Sequence, residues 1–281
     1  MTIDADKAMK ELVAKGIKIP PQPKVLVELR NALSKDNYDV RKLARIISAD
    51  PGITAMLFKA ARSPLFGRGK KLEALDQVIQ VVGVKQTFNL VQAVALSAAV
   101  SDGTRKAFEV FWTRSQEVAQ LAALIAADRV SVCNVFPDQA YMAGIFHECG
   151  VPVLMQRFPD YCKALKLENS CCWPNLAEED KRYNVDHTSI GYLVARHWNL
   201  PDFVCAAIQY HHEMPNDELG ATCTLVAILQ LAIHFYHVIA EVQDPLWPDI
   251  RGFVLNELGI HVDGEKEYFE DIHERFLEGH E

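Results

Sequence analysis

The chain has no CxxC pair and an odd number of cysteines. Its seven thiols, Cys133, Cys149, Cys162, Cys171, Cys172, Cys205 and Cys223, form neither a disulfide framework nor a thiolate zinc knuckle, and reduced cysteines in a cytoplasmic setting are expected. Long apolar runs are missing as well. The most apolar stretches, around Leu90 to Val100 and Leu225 to Ile233, are shorter than the roughly 20 residues a membrane span requires, so both are expected to be buried helices. The opening MTIDADKAMKELVAKG mixes charges through an amphipathic pattern and contains no apolar segment of the secretory kind, so no signal peptide is expected. Positive charge is also scarce. A net charge of -8 and a pI near 5.7 argue against a surface that neutralises phosphates. The cluster Arg68, Lys70 and Lys71 reads as a solvated loop. Neither nucleic acid nor membrane is expected as a partner. Internal repeats and low-complexity tracts are absent, and the first hundred residues show no convincing period-two alternation.

What is present is helical periodicity. At 281 residues, 49% hydrophobic and 23% charged, the composition is that of an ordinary globular chain with a sizeable core. After a short first helix and the proline-rich IPPQPKV, the residues Val25, Leu26, Leu29 and Leu33 mark one helical face. Asn37-Tyr38-Asp39 ends that helix, and Val40, Leu43 and Ile47 carry the next. Asp50 is expected as the N-cap of a third helix with Pro51 in its first turn, running to Ser63-Pro64. LEALDQVIQVVG, with Gly83 as C-cap, leads into VKQTFNLVQAVALSAAV, apolar on most sides as a central helix should be. This part of the chain reads as five helices and no sheet, with Ser101-Asp102-Gly103-Thr104 the best boundary between two halves.

The second half contains the chemistry. The stretch Tyr141 to Pro152, YMAGIFHECGVP, places His147 beside Glu148 at the end of an apolar segment slimmed by Ala143, Gly144 and Cys149. His187 follows the cap Asp186, and His211-His212 ends FVCAAIQYHHE. These histidines fall near the ends of separate helices, where a bundle can converge side chains on one point. His147-Glu148 is not an HExxH zinc motif, because Val151 stands where the second histidine would be. Trp112, Trp173, Trp198 and Trp247 read as packing residues, Cys171-Cys172 as ordinary thiols, and His234 with His237 as an i, i+3 pair on one helix face.

Taken together these segments resemble HDOD-domain proteins, a bacterial family related to the HD and HD-GYP metal-dependent phosphohydrolases. IPPQPKVLVELRNAL, IISADPGITAMLFKAARSPLFG and LEALDQVIQVVGVKQTFNLV resemble its first half, and FWTRS, AGIFHECG, VDHTSIGYLVARHWNLP and IQYHHE its HD-type half, from about Ile19 to about His237. The resemblance implies an all-α fold, a multi-helix HD-domain-like bundle (104–240) preceded by a smaller N-terminal helical subdomain (1–103) and followed by a helical extension (241–281).

It also implies a catalytic pattern from which this chain departs. Arg114 in FWTRS stands where a ligating histidine is expected, Glu148 where the aspartate of the pair is expected, and Ile233 where a last carboxylate is expected. A guanidinium beside a dication is worse than a lost ligand, and Glu for Asp moves the carboxylate by about a bond length. The candidate pocket is therefore Arg114, His147, Glu148, His187, His211 and His212, with Arg114 expected to pair with Glu148 in the metal's place. No cofactor is expected on this reading, and the function implied is a catalytically degenerate signalling or regulatory module acting through a signalling protein partner. No receiver, cyclase or DNA-binding segment is recognised in the chain. Under the alternative, a metal-dependent phosphohydrolase acting on a nucleotide or other phosphate ester, a divalent metal would be held by His147, Glu148, His187, His211 and His212. A third possibility is a small anionic ligand bound without turnover.

Overall fold

Aspartate caps and prolines punctuate this chain into short helices, as the computed structural model of residues 16, 17, 22, 24–34, 37–61, 72–97, 104–214, 219, 220 and 222–278 describes. The expected first helix, most of the proline-rich entry, the stop at Ser63-Pro64, the Leu65 to Lys71 loop with its basic cluster, and Ser101-Asp102-Gly103 lie outside the described residues. No strand occurs among the described residues, and the fold is all-α. The chain divides into two compact units, residues 20–99 with 274–281, and residues 1–19 with 100–273.

The smaller unit contains α1 (Lys24–Leu33), α2 (Val40–Ser48), α3 (Pro51–Ala61), α4 (Leu75–Val82) and α5 (Val84–Ser97). Asp39 caps α2 by accepting from the Arg41 amide at 2.9 Å, and Asp50 caps α3 by accepting from the Ile53 amide at 3.0 Å. Gly83, at φ +86°, turns the chain from α4 into α5 with no room lost to a side chain. Leu26, Leu29, Leu43, Ile47, Ile53, Leu57, Val78 and Ile79 form this unit's buried core.

The larger unit is built on α6 (Arg105–Cys133), whose 29 residues span about 43 Å at 1.5 Å per residue. Around it are α7 (Pro137–Phe146), α8 (Val151–Arg157), α9 (Tyr161–Ala164), α10 (Leu176–Tyr183), α11 (His187–His197), α12 (Asp202–Tyr210), α13 (Thr222–Ile239) and α14 (Trp247–Glu257), followed by α15 (Glu265–Leu277) as far as residue 273. The helices α7 and α13 pack on α6, α12 touches both α7 and α13, and α11 pairs with α12.

The small residues of the YMAGIFHECG stretch make this convergence possible. A Cβ added at Gly144 would lie 2.5 Å from Ala119 Cα, so α7 meets α6 almost backbone to backbone. A Cβ at Gly150 would lie 2.1 Å from the His187 carbonyl oxygen, which brings the turn after α7 directly onto the start of α11. The helix α13 is, by length and composition, apolar enough to cross a membrane, yet most of it is buried inside the fold and it carries Gln230, His234 and His237.

Candidate functional site

His147, Glu148, His187, His211 and His212 are each held at or just beyond the end of a helix. Pro137 starts α7, which closes at Phe146, so His147 and Glu148 lie in the turn that follows rather than on the helix itself. The Nδ1–H of His147 donates to the Gly144 carbonyl at 2.6 Å, leaving its buried Nε2 without a partner. Asp186 caps α11 by accepting from the Ser189 amide at 2.7 Å and the Thr188 hydroxyl at 2.6 Å, which sets His187 in the first turn. Burial opposes ionisation of Asp186, but these hydrogen bonds hold its carboxyl below the usual range. At the end of α12, His211 donates Nδ1–H to the Ile208 carbonyl at 2.7 Å, and its Nε2 is likewise unpartnered. Gln230 of α13 fixes this turn by donating its amide to the carbonyls of His211 at 3.2 Å and Glu213 at 2.7 Å.

Arg114 lies in the middle of α6 and is 1% exposed, as is Glu148, and its Nε stands 3.4 Å from Glu148 Oε2. Its Nη1 donates to the Cys172 carbonyl at 3.1 Å, and its Cζ sits 4.1 Å from the centre of the Trp173 ring. Geometry keeps the ion pair from being a hydrogen bond: Arg114 Nε and both Glu148 oxygens are buried without hydrogen-bond partners. Burial pushes the Glu148 carboxyl up, but Arg114, His147, His187 and His212 together outweigh it and hold it below its ordinary value. The charge is therefore present and balanced, while its lone pairs are left open.

A second buried acid, Glu179, organises the histidines from the other side. It accepts from the Tyr161 hydroxyl, from the His187 amide at 3.0 Å and from His187 Nδ1 at 2.8 Å. Burial lowers the His187 ring, but Glu179 overcomes that and raises it overall. His187 Nε2 lies 3.2 Å from His212 Nε2. Burial and the neighbouring His187 push His212 down to about 3. Burial also lowers His147, and takes His211 well below its ordinary value.

The structure thus brings Arg114 to Glu148 and packs His147 edge-on to His211 with ring centres 5.2 Å apart. Ligand atoms of His187, His211 and His212 all lie within 4.8 Å of one another. The imidazoles suit a metal: His211 donates Nδ1–H to a carbonyl and keeps Nε2 free, as ligating histidines do, and His187 Nδ1 is held by Glu179 while its Nε2 meets only His212. The carboxylate does not suit one, because Glu148 faces a guanidinium that carries a permanent charge. The set thus combines three imidazoles placed as metal ligands with a carboxylate already paired to a guanidinium.

Beside the histidines lies a cavity of about 350 Å³, whose walls include Trp173, His211, His212, Gln230, Ile233 and Asp244. Ile233 faces this space as an apolar residue. Glu179 and Asp244 were not visible from periodicity: the first sits in the polar AEED run and the second in the QDPLWP connection. The dual role of Trp173, stacked on His237 at 4.3 Å as well as under Arg114, also left no sequence signal, because its partners are distant in the chain. All seven cysteines are free thiols.

Known proteins share both the pattern and the shape. The HDOD domain model matches residues 19–214. A signal transduction protein of Marinobacter aquaeolei VT8, so assigned only provisionally, superposes with a TM-score of 0.72 at 20% identity, over 98% of this chain and 64% of that one. A provisionally assigned phosphohydrolase of Shewanella amazonensis SB2B superposes at 0.67 with 21% identity, over 96% of each chain. An uncharacterized protein of Treponema pallidum is 24% identical over 220 residues, and the match spans 77% of this chain but 42% of that relative's length. Since the family match extends through both halves, from the proline-led opening to the turn that carries His211 and His212, the chain belongs to the HDOD-domain family.

Proposed function

We propose that this chain is a regulatory HDOD module that does not hydrolyse phosphate esters and acts through contact with a signalling protein or through a bound ligand. The observation that carries the reading is Arg114: a guanidinium, 1% exposed, set 3.4 Å from the Glu148 carboxylate. A cation added there would meet like charge in a low-dielectric interior, where repulsion is far stronger than in water. Without a metal to acidify bound water, metal-dependent hydrolysis has no nucleophile. The Marinobacter relative, a provisionally assigned signal transduction protein, is consistent with this role.

A second reading is favoured by the three imidazoles within 4.8 Å of one another. On that reading the chain remains a metal-dependent phosphohydrolase, the class provisionally assigned to the Shewanella relative. Elemental analysis of protein purified without chelator, run beside phosphatase assays on nucleotides, cyclic nucleotides and a chromogenic phosphodiester, separates the two. The expected result is no stoichiometric metal and no turnover. A bound metal with turnover that disappears in His147→Ala would overturn the regulatory reading.

A further inference from the structure

The cavity beside His211 and His212 presents hydrogen-bond acceptors and negative charge to its contents. Gln230 is 2% exposed and lines the space, and because its amide nitrogen is committed to two carbonyls, the group it has left to offer is Oε1, which has no partner. His211 is 1% exposed and offers Nε2, also without a partner, because its Nδ1–H is held by the Ile208 carbonyl. Asp244 adds a carboxylate, fixed by the amides of Leu246 and Trp247 at 3.1 and 3.2 Å and by His234 at 3.2 Å. No lysine or arginine is among the residues that line the cavity. Buried acceptors without donors are costly, so a ligand that satisfies them gains that difference.

The rest of the wall is apolar and flat. Leu176, Ile233, Leu246 and Ile250 supply aliphatic surface, and the Trp173 and His237 rings stack there at 4.3 Å. The Trp173 ring itself is already occupied, by the Arg114 guanidinium at 4.1 Å as well as by His237. A cavity of about 350 Å³ lies at the lower end of the range for small-molecule sites.

We infer that this cavity binds a small organic cation, an amine or amidine carried on a flat apolar body, whose N–H groups satisfy Gln230 Oε1 and His211 Nε2 and whose charge faces Asp244. An anionic ligand would meet the Asp244 carboxylate and the two acceptors with no lining cation to offset them. The inference rests on the regulatory reading above, since a metal held by His211 and His212 would occupy the same ring nitrogens.

The test uses the full chain, with metal content measured on the same preparation. Benzylammonium and benzamidinium are titrated at millimolar concentration, the range expected for fragments of this size, against benzyl alcohol and benzoate, with thermal shift and calorimetry as readouts. The cations should raise the unfolding temperature saturably, benzyl alcohol less, and benzoate not at all. Asp244→Asn should weaken cation binding by about tenfold or more, the equivalent of one charge-assisted contact. Ile250→Trp, which fills the cavity, should abolish it while the protein remains folded by circular dichroism. Benzoate binding as tightly as benzylammonium overturns the inference, as does cation binding that survives both substitutions. Metal-free protein indifferent to the cations overturns this inference alone, whereas a metal in the histidine cluster overturns it together with the regulatory reading.

Discussion

Removing Arg114 alone should cost far more than removing it together with its partner. At 3.4 Å the attraction between Arg114 and Glu148 is roughly 5 kcal/mol at an effective dielectric of 20, but both groups gave up water to enter the fold and that cost offsets most of the gain. The net value of the pair is therefore small. Arg114→Met leaves Glu148, 1% exposed and without hydrogen bonds, as an uncompensated buried charge. Such a change costs about 3 to 5 kcal/mol, and loss of the Trp173 contact and the Cys172 carbonyl bond adds to it. The expected drop in unfolding temperature is roughly 6 to 20 °C for a unit of this size.

Arg114→Met combined with Glu148→Met removes both charges at similar volume and should recover most of that loss. Denaturant unfolding followed by circular dichroism at pH 7, on the two single variants and the double variant, gives the coupling energy directly. A loss below about 1 kcal/mol for Arg114→Met, within the ordinary range for surface pairs, would refute the buried-pair argument. So would a double variant no more stable than Arg114→Met.

Three further outcomes follow from the same geometry. Glu179→Gln places an amide nitrogen among donors that now meet two carboxylate oxygens. It should cost about 2 to 3 kcal/mol in denaturant unfolding and shift or erase the proton NMR signal of His187 Nδ1–H. Asp244 is pushed up by burial but held below its ordinary value overall by His234, His237 and the Leu246 amide. Its folded-state value is depressed, so its contribution is present above the unfolded value of about 3.9 and is lost as pH falls through the folded one. Asp244→Asn should thus be less stable than the parent chain at pH 7, and the gap should close in acid-titrated unfolding curves. Gly252, inside α14 with nothing within 4 Å of an added Cβ, should tolerate alanine with a gain of about 0.5 to 1 kcal/mol, measured by thermal unfolding.

Helices and caps were legible in the sequence because their causes are local. Asp50 and Asp186 each cap the helix that their spacing announces, Asp39, expected only to end the helix before it, caps the next as well, and Gly83 takes the positive φ expected of a C-cap. The histidines could also be grouped, since helix ends are recognisable and histidine near several of them is uncommon. What stayed hidden depends on partners far along the chain. Glu179 is buried by Tyr161 and His187, 18 and 8 residues away, and nothing in its polar surroundings distinguishes it from Glu178, which is not buried. Trp173 gains its role from Arg114 and His237, on helices that meet only in the folded chain.

The positions of Arg114 and Glu148 differ in a way that explains why the pair can hold. Arg114 is a mid-helix residue of α6, and its place is set by a 29-residue element that can shift only as a body. Glu148 sits in a turn whose ends are pinned by Gly144 against Ala119 and by Gly150 against the start of α11. Close backbone contact on both sides leaves the turn little freedom to retreat from the guanidinium, so the charge balance of the site is fixed by glycine packing as much as by the charged groups themselves. The same two contacts bring His147 and His187 to the centre, which is why the apolar YMAGIFHECG stretch, and not the charged residues alone, determines where the site forms.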